Sequence, residues 1–305
     1  MIASFIITFR EALEAALIVG IVLSYLARTR QTRYRSLVFL AVGAAAAASL
    51  AGAALFTTLA GGFTGRAEQI FEGATMLLGA ALLTTMILWM MQQRGIAAEL
   101  SARVATEVAE AHRLGLFLLV FVSVLREGIE TVIFLGAVSV AAGSSLFGAL
   151  AGLLSAGVLG YLIFAGSRRL ELKTFFTVTS VLLILFAAGL VAQGVHELQE
   201  AGILPVLVEH VWDIKPPLNA DGSYPPLHEN GYVGSILKSL LGYNGNPSLW
   251  EVASYVLYLL LVFGLWRRIG RRQEMVGAKK LEAAGGRDLS GVSPPDEEIA
   301  DGEAC

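Results

Sequence analysis

Seven apolar stretches constrain this chain more than any other feature. They cover residues 2–27, 37–60, 68–91, 115–141, 146–167, 174–197 and 249–268. Each can cross about 30 Å of hydrocarbon as a helix rising about 1.5 Å per residue. In lipid every backbone polar group needs a partner within the protein, and a helix supplies its own. The expected fold class is therefore an all-α integral membrane protein with seven transmembrane helices. Composition agrees, because only 15% of the 305 residues are charged and 55% are hydrophobic. A soluble domain carries roughly 25% charge to cover its surface. A cytosolic enzyme, a nucleic-acid binder and a disordered chain are thereby excluded. Glycine and alanine, as between Gly43 and Gly52, suit close packing of membrane helices.

The loops orient the chain. Arg28, Arg30, Arg33 and Arg35 follow the first stretch, Arg94, Arg103 and Arg113 the third, and Arg168, Arg169 and Lys173 the fifth. Arg267, Arg268, Arg271 and Arg272 follow the seventh. The alternate loops hold only Arg66, Lys215 and Lys238. Lys and Arg accumulate in cytoplasmic loops. The expected topology has the N-terminus outside and the C-terminus inside. The first stretch carries Arg10, Glu11 and Glu14 and has no basic segment before it, so it reads as a retained helix rather than a cleaved signal. The single cysteine, Cys305, excludes a disulfide framework and thiolate chemistry within the fold.

An internal repeat carries the chemistry. FIITFREALEAALIVGIVL from Phe5 aligns without gaps on FVSVLREGIETVIFLGAVS from Phe121. The pairs Phe5/Phe121, Arg10/Arg126, Glu11/Glu127, Glu14/Glu130, Gly20/Gly136 and Val22/Val138 are identical. The copies lie on the first and fourth stretches, so they are expected to cross in opposite directions. That is an inverted repeat of three-helix units, the plan of many secondary transporters, whose sites lie near the midplane. The expected organisation is a first repeat over 1–91, a cytoplasmic linker over 92–114 and a second repeat over 115–197. An external loop over 198–248, a seventh helix over 249–268 and a disordered cytoplasmic tail over 269–305 follow. A short amphipathic helix is expected over 97–112.

Each repeat carries R-E-x-x-E. Residues three and four apart share a helix face, so Arg10 can pair with Glu14, and Arg126 with Glu130. Glu14 and Glu130 each stand about twelve residues from the outer helix end, or roughly 18 Å deep. Each charge there costs roughly 3 kcal/mol unless it is paired, protonated or bound to a cation. Four Glu and two Arg sum to −2, which suits a multivalent cation, and carboxylate oxygens are hard ligands. The expected metal ligands are Glu11, Glu14, Glu127 and Glu130, with Glu72 and Glu68 at the outer start of the third stretch. Arg10 and Arg126 would hold the carboxylates in place. His196, Glu197, Glu200, Asp213 and His228 are candidates for outer cation capture.

With both motifs on a seven-helix chain, the sequence resembles the FTR1-type iron permease family, also called the oxidase-dependent iron transporter family. FEG at 71–73, HELQEAGILP at 196–205 and LGYNGNPSLWEVASYVLYL at 241–259 carry the resemblance further, over most of residues 1–268. The bacterial branch fits best, because the fungal-type external DASQG motif is absent. The resemblance implies high-affinity iron import across the plasma membrane, the bacterial inner membrane, by a multi-pass permease rather than an enzyme. It implies a translocation site at Arg10, Glu11, Glu14, Arg126, Glu127 and Glu130. It also implies a separate iron oxidase or periplasmic iron-binding protein as partner. Iron, ferric or ferrous, is then the substrate and no prosthetic group is expected. No P-loop or haem, flavin or copper motif is present. A transporter of another cation such as lead or manganese, an iron sensor and a membrane oxidoreductase are the alternatives.

Overall fold

The computed structural model describes residues 1–92, 102–106, 113–143, 145–165, 172–219 and 223–288. Among these residues there is no β-strand. Seven long helices match the seven apolar stretches. They are α1 (Ile2–Arg28), α2 (Arg35–Ala60), α3 (Arg66–Gln92), α4 (Arg113–Ala142), α5 (Leu146–Ala165), α6 (Leu172–Glu200) and α8 (Leu249–Asp288). A shorter helix, α7 (Tyr232–Leu241), lies between α6 and α8. Five helices (α2, α3, α5, α6 and α8) are long and apolar enough to cross a membrane by length and composition. Any membrane-length stretch of α1 or α4 includes at least three ionisable residues, because R-E-x-x-E stands near its middle. Five such helices make this a multi-pass membrane protein.

The chain divides into two compact units, Met1–Val262 and Phe263–Cys305. In the first, helices pair in a crossed pattern. α1 packs on α5, α2 on α4, and α3 on α6, while α1 and α4 lie side by side. Two glycines explain how the first two pairs approach. Gly20 of α1 lies under the ring of Phe164 of α5, and Gly136 of α4 lies under the ring of Phe56 of α2. A Cβ at either position would overlap the ring. In the third pair a Cβ on Gly73 would stand 2.9 Å from the Gly194 carbonyl oxygen, and one on Gly194 3.1 Å from that of Gly73. Without a water-driven force between helices in lipid, such backbone approach carries the packing.

A buried cluster of Val22, Leu26, Val38, Ala41, Leu116 and Val120 ties α1, α2 and α4 together at one end. The outward faces are apolar as well. Leu40, Leu50 and Leu55 of α2 and Leu153, Leu154 and Val158 of α5 are all exposed, as lipid contact requires.

Two segments differ from the sequence-based expectation. The 198–248 connection is not wholly loop, because it contains α7. Val233, Ile236, Leu237, Leu240 and Leu241 repeat at helical spacing there, and Leu240 joins Ile7 of α1 and Leu183 and Phe186 of α6 around a small apolar pocket. Ten residues are too few to span a membrane and glycines flank the stretch, so its helical signal is weak beside the longer runs. The second difference is that α8 does not end near residue 268 but continues to Asp288. Residues 289–305 of the expected tail lie outside the described residues. So does most of the expected 97–112 helix, of which 102–106 is helical.

Candidate metal centre

The first and fourth helices present their charged faces to each other. Arg10 Nε lies 3.2 Å from Glu14 Oε1, the i,i+4 pair, and Nη1 lies 3.6 Å from Glu11 Oε1. On α4, Arg126 Nε donates to Glu130 Oε1 at 2.8 Å. Both pairs follow from the 3.6-residue period, which stacks positions i and i+4 on one face.

Contact between the helices brings the acids together. One carboxylate oxygen from each of Glu11, Glu14 and Glu127 lies within 4.8 Å of the others. Glu127 and Glu130 lie close enough to Glu11 and Glu14 to interact electrostatically. Glu11 and Glu127 are buried, and Glu14 nearly so. Among the described residues, no N–H or hydroxyl donor reaches either oxygen of Glu11 within hydrogen-bond distance. Buried polar atoms ordinarily find partners, and beside the Arg10 guanidinium at 3.6 Å these oxygens could take a proton or a cation. Three hard oxygen donors at this spacing fit a hard or borderline metal ion.

The two motifs are not equivalent. The Arg10 side chain is completely buried, whereas that of Arg126 is 47% exposed. The Arg126 guanidinium also lies over the Trp89 ring of α3, 5.1 Å from its centre.

A second polar group stands where α3, α6 and α8 meet. His196 Nε2 lies 3.2 Å from Glu200, and Nδ1 lies 3.0 Å from buried Glu251. Gln69 donates to Glu200 at 3.0 Å. Glu197 and Glu72 are near enough to Glu200, to each other and to Glu68 to repel. Of the expected outer residues, the structure therefore groups His196, Glu197, Glu200, Glu72 and Glu68. It keeps Asp213 and His228 in local turns. Asp213 accepts from the Lys215 backbone at 3.1 Å, and His228 Nδ1 accepts from the Asn230 backbone at 3.1 Å. His228 also lies against the Tyr224 ring.

Three participants were not singled out in the sequence. Trp89 is one. Glu251 and Ser248 are the others, although S-x-x-E ahead of an apolar run is a capping-box signature. Ser248 N donates to Glu251 Oε1 at 3.0 Å, and Glu251 N to Ser248 Oγ at 3.3 Å. Ser248 Oγ also bonds Gln199 Oε1 at 2.7 Å, and Asn244 Nδ2 donates to Glu251 Oε2 at 2.7 Å.

The comparisons with known proteins bear on the whole chain. The model of the iron permease FTR1 family matches residues 1–273. The chain belongs to the iron permease FTR1 family. Among its relatives in that family is the ferrous iron permease EfeU of Shigella sonnei, 34% identical over 279 residues, covering 88% of this chain and 98% of the relative. The EfeU of Yersinia pestis is 31% identical over 290 residues, covering 92% and 99%. An uncharacterised protein of Archaeoglobus fulgidus is 36% identical over 274 residues, covering 88% and 95%. No solved structure matches this member of the iron permease FTR1 family.

Proposed function

We propose that the chain imports iron through a carboxylate site shared by its two R-E-x-x-E motifs. The observation that carries this reading is the convergence of Glu11, Glu14 and Glu127 oxygens within 4.8 Å in a buried setting. Family membership supplies the class of cargo, and the EfeU relatives' names favour the ferrous ion. All seven long helices cross the membrane in this reading, N-terminus outside. The crossed pairing of α1 with α5 and α4 with α2, each through a glycine under a phenylalanine ring, supports an inverted repeat.

Chemically, two carboxyl groups as close as Glu11 and Glu127 repel unless something positive stands between them. A proton can do so at rest and a cation can displace it. With Arg10 and Arg126 present, the four acids leave −2, so a divalent cation brings the site to neutrality. Neutrality keeps occupancy affordable in a low-dielectric surround. Arg10 and Arg126 orient Glu14 and Glu130, and the acids around His196 at the α3–α6–α8 junction collect cations on the outer side. Rocking of one repeat against the other would then expose the site to alternate sides. An iron oxidase or iron-binding protein is the expected kind of partner. Transport of this kind makes the chain a permease and not an enzyme.

The test is uptake of radioactive iron, offered as ferrous or ferric ion, by cells lacking other importers. Glu14→Gln and Glu130→Gln are compared with the wild-type chain at equal membrane abundance. Both variants should lose most uptake, and manganese or lead should compete only weakly. Undiminished uptake in both variants removes the shared carboxylate site.

A further inference from the structure

We infer that Trp89 is a positioning residue for transport, acting through Arg126. This rests on the reading that Glu130 belongs to the translocation site. The argument begins from the inequality of the two motifs. Arg10 is fully buried, so packing and its contacts with Glu14 and Glu11 together fix its guanidinium. Arg126 has nearly half of its side chain open, and a long exposed side chain holds one geometry only if something restrains it. Its Nε is engaged by Glu130 at 2.8 Å. Its guanidinium also lies over the indole of Trp89, 5.1 Å from centroid to Cζ.

That distance is within cation–π range, and tryptophan is the strongest of the aromatic partners. The ring comes from a different helix, α3, so the contact links the third helix of the first repeat to the motif of the second. Trp89 is 40% exposed and reaches none of the carboxylates, so it is not a ligand. Its effect on the acids is indirect. By fixing the Arg126 plane it fixes the direction from which Glu130 is held, and hence which oxygen of Glu130 is left for the cation. The burial that Arg10 enjoys is thus replaced at Arg126 by one aromatic face.

The experiment replaces Trp89 with tryptophans carrying one, two or three ring fluorines, in the full-length chain in membranes. Fluorine drains the ring's negative face and leaves its shape nearly unchanged. Ferrous uptake is then measured at equal membrane abundance. The apparent KM for ferrous ion should rise stepwise with each fluorine, by about two- to fivefold across the series, while the maximal rate holds. Trp89→Phe should raise the KM to an intermediate value and Trp89→Leu should raise it further. A flat KM across the fluorinated series, with wild-type uptake intact, overturns the inference, because a merely space-filling ring is indifferent to fluorine. A KM in Trp89→Leu equal to wild type overturns it as well. Failure of the transport reading itself is recognised separately, as full uptake by Glu14→Gln and Glu130→Gln.

Discussion

Arg10 holds Glu14 at 3.2 Å with its own side chain completely sealed from the surface. Its sequence counterpart Arg126 makes a shorter contact with Glu130, yet stands half open. Removing one partner of a buried pair leaves the other charge uncompensated and costs about 3–5 kcal/mol. Arg10→Gln should therefore destabilise the protein severely, and Arg126→Gln less, because the Arg126 side chain is already half open. Thermal unfolding of the detergent-solubilised variants checks this. Equal losses would show that the two motifs are held alike.

The glycine–phenylalanine contacts make a paired prediction. Gly20→Ala forces a methyl into the Phe164 ring, and Gly136→Ala does the same to Phe56. Overpacking of this kind costs typically about 1–3 kcal/mol. Phe164→Leu should rescue Gly20→Ala but not Gly136→Ala, and Phe56→Leu should show the opposite preference. The readout is the melting temperature of each double variant against its singles, and rescue without partner specificity would contradict the crossed packing.

A third prediction concerns the start of α8. Ser248 and Glu251 satisfy each other's backbone amides, and Glu251 also receives His196. Loss of a serine N-cap costs about 1 kcal/mol. Ser248→Ala should lower stability by about that amount, and more here because Gln199 loses its partner as well. Glu251→Gln keeps the shape but removes the charge facing His196, so it should cost at least as much. Proteolysis at the Ser248 end of α8 should quicken in both variants. Unchanged cleavage in both would mean that the cap does not fasten this end.

The sequence alone determined a good part of this protein. Apolar length marks the long helices, and five of them are apolar enough to cross a membrane, where a helix satisfies its own backbone. Four-residue spacing pairs Arg10 with Glu14 and Arg126 with Glu130, because that contact is local to one helix. The S-x-x-E cap at Ser248 and the amphipathic spacing of α7 were also written in the chain, though both are short and easily passed over beside longer signals. Other relationships depend on which helices touch, and tertiary structure decided those. Apolar faces in lipid do not choose partners by hydrophobicity, and the choice falls to shape, as at Gly20 under Phe164 and Gly73 against Gly194. Identical motifs cannot show that one arginine is enclosed and the other leans on Trp89. That difference comes from what the neighbouring helices bring to each motif, and it exists only once the chain is packed.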